Sequence, residues 1–396
     1  MDLFASSLSF VLKHYPVLPT TCLRPHAAAI ASKYFKRNFP GTVLYAVKSN
    51  PRFEILDSIY SSGIDHFDVA SISEVRLIAS RFPEARLSYM HPIKSREAIC
   101  EAYYKYGVRD FALDSGEELE KILASTNNAS DLNLFIRLAV PNDYAKLNLS
   151  NKFGVQHDKA TDLLRSIRSI AQKVGVCFHV GSQCMNPKSY AIAIQRVGDL
   201  IRSSGIMLDI LDVGGGFPSR YIDMNPPPLD TYIEEITAAL IEIPIREDCE
   251  IWAEPGRGLV AEAASTVVRI DHRKDNYLYI NDGIYGSLFD AGLSAFIHPV
   301  RPINIQSKLS DELVPFSFFG PTCDGMDFMK GPYMLPSTIT EGDYIEIGQT
   351  GAYGCTMRTK FNGFYSDETI LLNDHPILSL YGCTNMIGET VDEVAL

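Results

Sequence analysis

No stretch of this chain stays apolar over the roughly 20 residues that a bilayer-crossing helix needs. The opening MDLFASSLSFVLKHYP is briefly apolar but lacks a basic n-region and a small-residue cleavage site. It therefore reads as mature protein, and a cytoplasmic location and no membrane partner are expected. Eight cysteines are present (Cys22, Cys100, Cys177, Cys184, Cys249, Cys323, Cys355 and Cys383), but no two form a CxxC pair and no Cys/His cluster has metal spacing. No metal is expected, and the thiols are expected reduced and mostly buried, with Cys323 set apart. Basic charge is scarce: the net charge of −12 argues against a nucleic-acid partner, though not against a small basic pocket for one phosphate. A Walker loop, a Ser-His-Asp hydrolase elbow and a zinc motif are missing, and LDVGGG is not the dinucleotide fingerprint GxGxxG.

What is present is regular. The 396 residues suit two domains, one of them large, and a hydrophobic share of 46% can fill a sizeable core. Eight β-branched, apolar runs follow one another: 42–49, 66–71, 87–92, 110–115, 133–139, 176–182, 208–216 and 251–256. Between them lie segments with apolar residues at helical spacing, such as 73–82, 116–125, 162–174 and 232–243. Strand then helix, eight times, predicts an α/β fold, a (β/α)8 barrel over 20–256. After residue 257 short strands replace helices (STVVRI, NYLYIN, DYIEIGQTGAY, ETILLN), which predicts an all-β domain over 257–396, with residues 1–19 free to join it.

A barrel works at the C-terminal ends of its strands. Those ends carry Lys48, Asp68, His91, Asp114, Arg137, His179 with Ser182, Gly214 to Gly216, and Glu254 with Arg257. Each has an ordinary structural reading: a solvated strand end for Lys48, a tight turn for the glycines, a surface ion pair for Arg257, a core histidine for His179 and for His91. Together they ask for one ligand. An amine such as Lys48 in a partly desolvated mouth is expected to have a lowered pKa, suited to Schiff-base chemistry. VGGGFP can bring backbone N–H groups against a phosphate, with Arg257 as a bidentate fork. Glu254 can hold a proton on a pyridine nitrogen. Cys323 lies in FFGPTCDGMD, a Gly/Pro-bounded loop where function is plausible.

The motifs YAVKSNP, FDVAS, KFGV, FHVGSQ, LDVGGGFP, AEPGRGLV, NDGIYGS, FGPTCDGMD and TGAYGCTMRTKFNGF, in that order from about residue 40 to 365, resemble the ornithine decarboxylase family of alanine-racemase-like pyridoxal-phosphate enzymes. The resemblance implies a homodimer with shared sites and a pyridoxal 5'-phosphate cofactor carried by Lys48. Asp68 and Glu74 would support the cofactor side, and Arg137 and Lys152 match two further site positions. His179 would stack on the ring and Ser182 would face the phosphate, which Gly214, Gly215, Gly216, Arg257 and Tyr353 would hold. Glu254 would bond the ring nitrogen. Cys323 and Asp324 would reach the partner's site, one for protonation and one for the substrate's distal amine, and Phe361 would line the pocket. Many eukaryotic members carry a Tyr-Asp-His triplet after NDGxYGS, whose Asp also binds the distal amine; here LFDAGLSAFIHPVRP stands instead, and Asp290, the only nearby carboxylate, joins Tyr353 and Phe361 among the expected substrate contacts. The expected reaction is conversion of L-ornithine, a small-molecule substrate, to putrescine and CO2. Lysine is the alternative, arginine would need a longer pocket, and a catalytically dead, antizyme-inhibitor-like homologue is the rival of another class. Diaminopimelate decarboxylation is disfavoured because CDGMD stands where a CHES-like loop would be.

Overall fold

A computed structural model of the chain describes residues 1–149, 152–305 and 309–382. Cys383 lies outside them. Eight parallel strands close into a barrel: β1 (Thr42–Ala46), β2 (His66–Val69), β3 (Arg86–Tyr89), β4 (Asp110–Leu113), β5 (Asn133–Arg137), β6 (Lys173–Cys177), β7 (Ile210–Asp212) and β8 (Glu250–Ala253). Closure is made where Trp252 and Ala253 pair with Thr42 and Val43.

The helices begin where short polar side chains follow a strand. Ser71, Ser95 and Ser115 each accept a backbone N–H three residues on and so start the helices Ile72–Arg81, Arg96–Tyr106 and Gly116–Ser125. The helix expected over 162–174 ends at Arg168 instead, and Lys173 and Val174 already belong to β6. The apolar spacing runs on across that boundary because buried strand residues are apolar as well.

Alternation along the strands builds layers inside the barrel. Leu44, Met90, Ala112, Phe135, Cys177, Ile210 and Trp252 form one buried apolar cluster. Two residues further along the strands stand Arg137, His179, Asp212 and Glu254, the floor of the site. Two residues back on β3 and β4 stand Ser88 and Asp110, which form a buried polar network with His66 of β2: His66 contacts the Ser88 hydroxyl at 2.7 Å, and that hydroxyl donates to Asp110 at 2.8 Å.

Past the barrel, the chain forms a nine-stranded sheet on the long strand Ala264–Lys274. Thr20–Leu23 pairs with that strand, and Leu3–Phe4 pairs with Thr369–Leu372. Strand-period reading misses Val300–Ile303, Leu313–Phe319 and Phe328–Pro336. Pro315, Gly331 and Pro332 interrupt the pattern there; Phe328–Pro336 ends the sheet's strand order, where a residue without an N–H is tolerated. Among the described residues, no helix is long and apolar enough to cross a membrane, and no group of three or more His, Cys, Asp or Glu side chains could hold a metal ion.

Candidate active site

The C-terminal ends of the strands surround a cavity of about 310 Å³, lined among others by Lys48, Asp68, Arg137, His179, Ser182, Glu254 and Tyr353. Lys48 follows β1 in a short turn and donates to Asp68 Oδ2 at 2.8 Å. The expectation of a lowered lysine pKa is corrected here. Burial works against the ammonium, but Asp68, then Glu254 and Tyr353, hold its pKa above the ordinary lysine range. The acidic floor outweighs desolvation.

Glu254 is buried, and its Oε1 has no donor. Burial, then the neighbouring Asp212, pushes its carboxyl well above the usual range. His179 accepts the Gly181 N–H through Nδ1 at 2.9 Å, and burial with Arg137 and Lys48 holds its pKa well below the ordinary value, so the ring is neutral. Glu74 serves the helix start after β2, accepting the Ala70 N–H at 2.6 Å.

The glycine turn after β7 is sterically obligatory. A Cβ on Gly214, at φ +69, would stand 1.9 Å from the Phe178 carbonyl, and one on Gly215 2.6 Å from the Glu254 carbonyl. Beside it lies Arg257, itself buried. Its Nε reaches Ser182 at 3.4 Å, its Nη1 reaches the Tyr221 hydroxyl at 2.8 Å and Asp290 at 2.7 Å, and its Nη2 has no acceptor. Tyr353, whose ring lies 5.1 Å from that guanidinium, is held at φ +65. A non-glycine residue in the left-handed region is uncommon and collects at functional sites. Asp290, expected among the substrate contacts, is instead buried against Arg257, because a buried guanidinium needs a counter-ion.

Lys152 and His91 complete the mouth. His91 lines the cavity with its ring 5.0 Å from that of Phe153, although its sequence context pointed to no more than an ordinary core histidine. Asp114 lies beside the cavity and ties the adjoining loop by accepting the Gly154 N–H at 2.9 Å. Two further residues escaped sequence reasoning: Asp212, read as the lead-in to the glycines, and Tyr221, in a segment without a motif.

Cys323, Asp324 and Phe361 form a second cluster on the sheet domain, and none of them lines the Lys48 cavity. Cys323 is exposed and donates its backbone N–H to Asn362 Oδ1 at 3.1 Å. The Asp324 carboxylate takes the Tyr285 hydroxyl and the Met326 N–H, and these bonds hold its pKa below the usual range. Phe361 packs 5.0 Å from the Tyr285 ring.

Residues 27–261 match the family model described as pyridoxal-dependent decarboxylase, pyridoxal binding domain. The chain is 32% identical over 354 residues to a lysine/ornithine decarboxylase of Selenomonas ruminantium, covering 87% of each. It is 31% identical to antizyme inhibitor 2 of Xenopus laevis, covering 81% of this chain and 73% of that one. The crystal structure of the Vibrio vulnificus lysine/ornithine decarboxylase complexed with putrescine superposes with a TM-score of 0.79 at 29% identity, covering 93% of this chain and 99% of that one.

Proposed function

From the premise that this chain belongs to the pyridoxal-dependent decarboxylases of basic amino acids, we propose that it converts L-ornithine to putrescine and CO2. The family's cofactor is pyridoxal 5'-phosphate, and the residues of the mouth fit it. A buried carboxylate oxygen and a buried guanidinium nitrogen without partners, Glu254 Oε1 and Arg257 Nη2, await an N–H and an anion. When bound, the cofactor supplies an electron sink for the pair released as the carboxylate leaves.

The chain's own residues do the rest. Lys48 would hold the cofactor's aldehyde carbon, with Asp68 bonded to its amine. His179, neutral, would pack against the ring without competing for charge. Glu254 would hold the proton on the ring nitrogen. Ser182, the glycine turn, Arg257 and Tyr353 would hold the phosphate, with Asp290 and Tyr221 orienting the guanidinium. Arg137 lines the same cavity.

The substrate's far end calls for a carboxylate, and Asp324 carries this reading: it is kept ionised by two donors and stands beside Phe361 and the exposed thiol of Cys323. Because that cluster lies off the Lys48 cavity, we infer a homodimer in which Asp324 and Cys323 serve the partner's cavity, Cys323 as proton donor to Cα. Lysine is the second reading, favoured by the lysine/ornithine decarboxylases among the relatives. An antizyme-inhibitor-like protein without catalysis is disfavoured by Lys48, Asp68 and Glu254 standing together. Carbon dioxide release from labelled ornithine, lysine, arginine and diaminopimelate, side by side, tests the order. Ornithine is expected fastest; release from none of them, with no cofactor absorbance in the visible, would leave the binding-protein reading.

A further inference from the structure

Beneath the residue assigned to the ring nitrogen lies a carboxyl group that no role above uses. Asp212 ends β7 and is in register with Trp252 of β8, so Asp212 and Glu254 lie on the same inward face of adjacent strands, one step apart. They are 0% and 3% exposed. One Asp212 oxygen accepts the Gly214 N–H at 2.8 Å. Its other oxygen, Oδ2, and Glu254 Oε1 are both buried without a donor, on one face of neighbouring strands. Two carboxyl groups buried side by side repel each other when both are ionised, and one proton held by the pair relieves this.

The cations around the pair offset its charge only in part. Asp68 and Arg137 face Asp212; Asp68, Lys48 and Arg137 face Glu254; the buried Cys177 thiol faces both. Lys48 is engaged by Asp68. Burial drives both carboxyls upward from their ordinary values.

We propose that Asp212 is a positioning residue that shares one proton with Glu254 and, by keeping that proton on its own side of the pair, leaves the Glu254 carboxylate anionic and aimed at the cofactor's ring nitrogen. The inference rests on the reading of Glu254 as the partner of that nitrogen. A lone glutamate this deeply buried is driven neutral and can no longer hold a pyridinium proton. A charge-assisted hydrogen bond from a protonated Asp212 stabilises the anion while adding no second charge. The pair then carries one negative charge against one positive ring.

Two measurements test this. In the cofactor-free chain, both folded-state pKa values lie above the unfolded ones, so the pair's contribution is intact at acid pH and is lost as pH rises through the raised values. Melting temperatures from pH 5 to 8 should therefore fall more steeply for the wild type than for Asp212→Asn, which keeps a donor but cannot ionise. Parallel curves would overturn the shared proton. In the holoenzyme, with cofactor labelled by 15N at the ring nitrogen, Asp212→Leu should shift the signal toward unprotonated pyridine. It should also lower kcat about tenfold with a smaller change in KM, and Asp212→Asn should recover most of both. An unmoved nitrogen signal in Asp212→Leu overturns the coupling. A nitrogen unprotonated in the wild type overturns the Glu254 reading and the coupling with it, while the first measurement still decides the shared proton. Should Asp212→Leu fail to fold, a nitrogen signal in Asp212→Asn displaced as far as that of Glu254→Gln overturns the proposal, and one that stays with the wild type supports it.

Discussion

At the scale of single residues, the site is a matter of which charges are matched. Lys48 is paired with Asp68, whereas Glu254 Oε1 and Arg257 Nη2 are buried without partners. Such groups cost free energy in the folded chain, and a ligand that satisfies them recovers it. Lys48→Ala should therefore abolish turnover, and borohydride treatment should no longer fix the cofactor to the chain; a label on another lysine would refute the assignment. Asp324 makes a more selective prediction. Asp324→Ala should lower kcat/KM for ornithine and lysine by about 10- to 100-fold, the worth of a hydrogen bond to a charged group. It should leave norvaline, which lacks the distal amine, nearly unaffected. Equal losses on all three substrates would remove Asp324 from recognition.

At the scale of elements, turns and caps set the accuracy of the site. The glycine turn after β7 has no room for a side chain, so Gly214→Ala must displace the Phe178 carbonyl on β6's extension and with it His179. Weaker cofactor retention, by about tenfold or more, and a lower melting temperature are expected; dialysis followed by absorbance reads the first and calorimetry the second. A second element is the segment Ser379–Tyr381. Ser379 Oγ and the Leu380 N–H donate to the buried Glu262, just past the Arg257 helix, and Tyr381 donates to the Gly258 carbonyl. Burial raises the Glu262 pKa to about 7. Its folded value exceeds its unfolded one, so its contribution to folding is intact at acid pH and is lost as pH rises through about 7. The melting temperature should therefore fall between pH 6 and 8, and Glu262→Gln should flatten that fall. An identical fall in the variant would dissociate Glu262 from it.

At the scale of the whole molecule, the two clusters raise the question of assembly. Lys48 is in the barrel mouth and Cys323 on the sheet domain, outside that cavity. If each working site takes one from each chain, Lys48→Ala and Cys323→Ala dimers are each nearly inactive. Exchange of their subunits then makes about half the dimers mixed, each with one intact site, so activity returns to about a quarter of wild type. Subunit exchange is followed independently with a tagged chain. Activity that stays at the level of the separate variants, with exchange proven, would mean that Cys323 serves its own chain or none.

Much of this was written in the sequence. The βα alternation carries the barrel because inward and outward faces differ in polarity at period two, and a helix must bury an apolar stripe between strands. The polar strand ends carry the site, since a side chain at the top of an inward row faces the mouth. Local pattern is silent where the decisive partner is distant in sequence. The strand Leu313–Phe319 was missed because Pro315 breaks the local rule, and its pairing with Phe328–Pro336 overrides it. Asp212 looked like a turn residue until β8 brought Glu254 beside it, and His91 looked like a core histidine until the wall of the Lys48 cavity formed around it. The sign of the Lys48 shift and the pairing of Asp290 with Arg257 were likewise decided only in three dimensions. Which residues carry charge is a property of the chain; how strongly each holds its proton depends on burial and neighbours, and these are made by strands far apart in sequence.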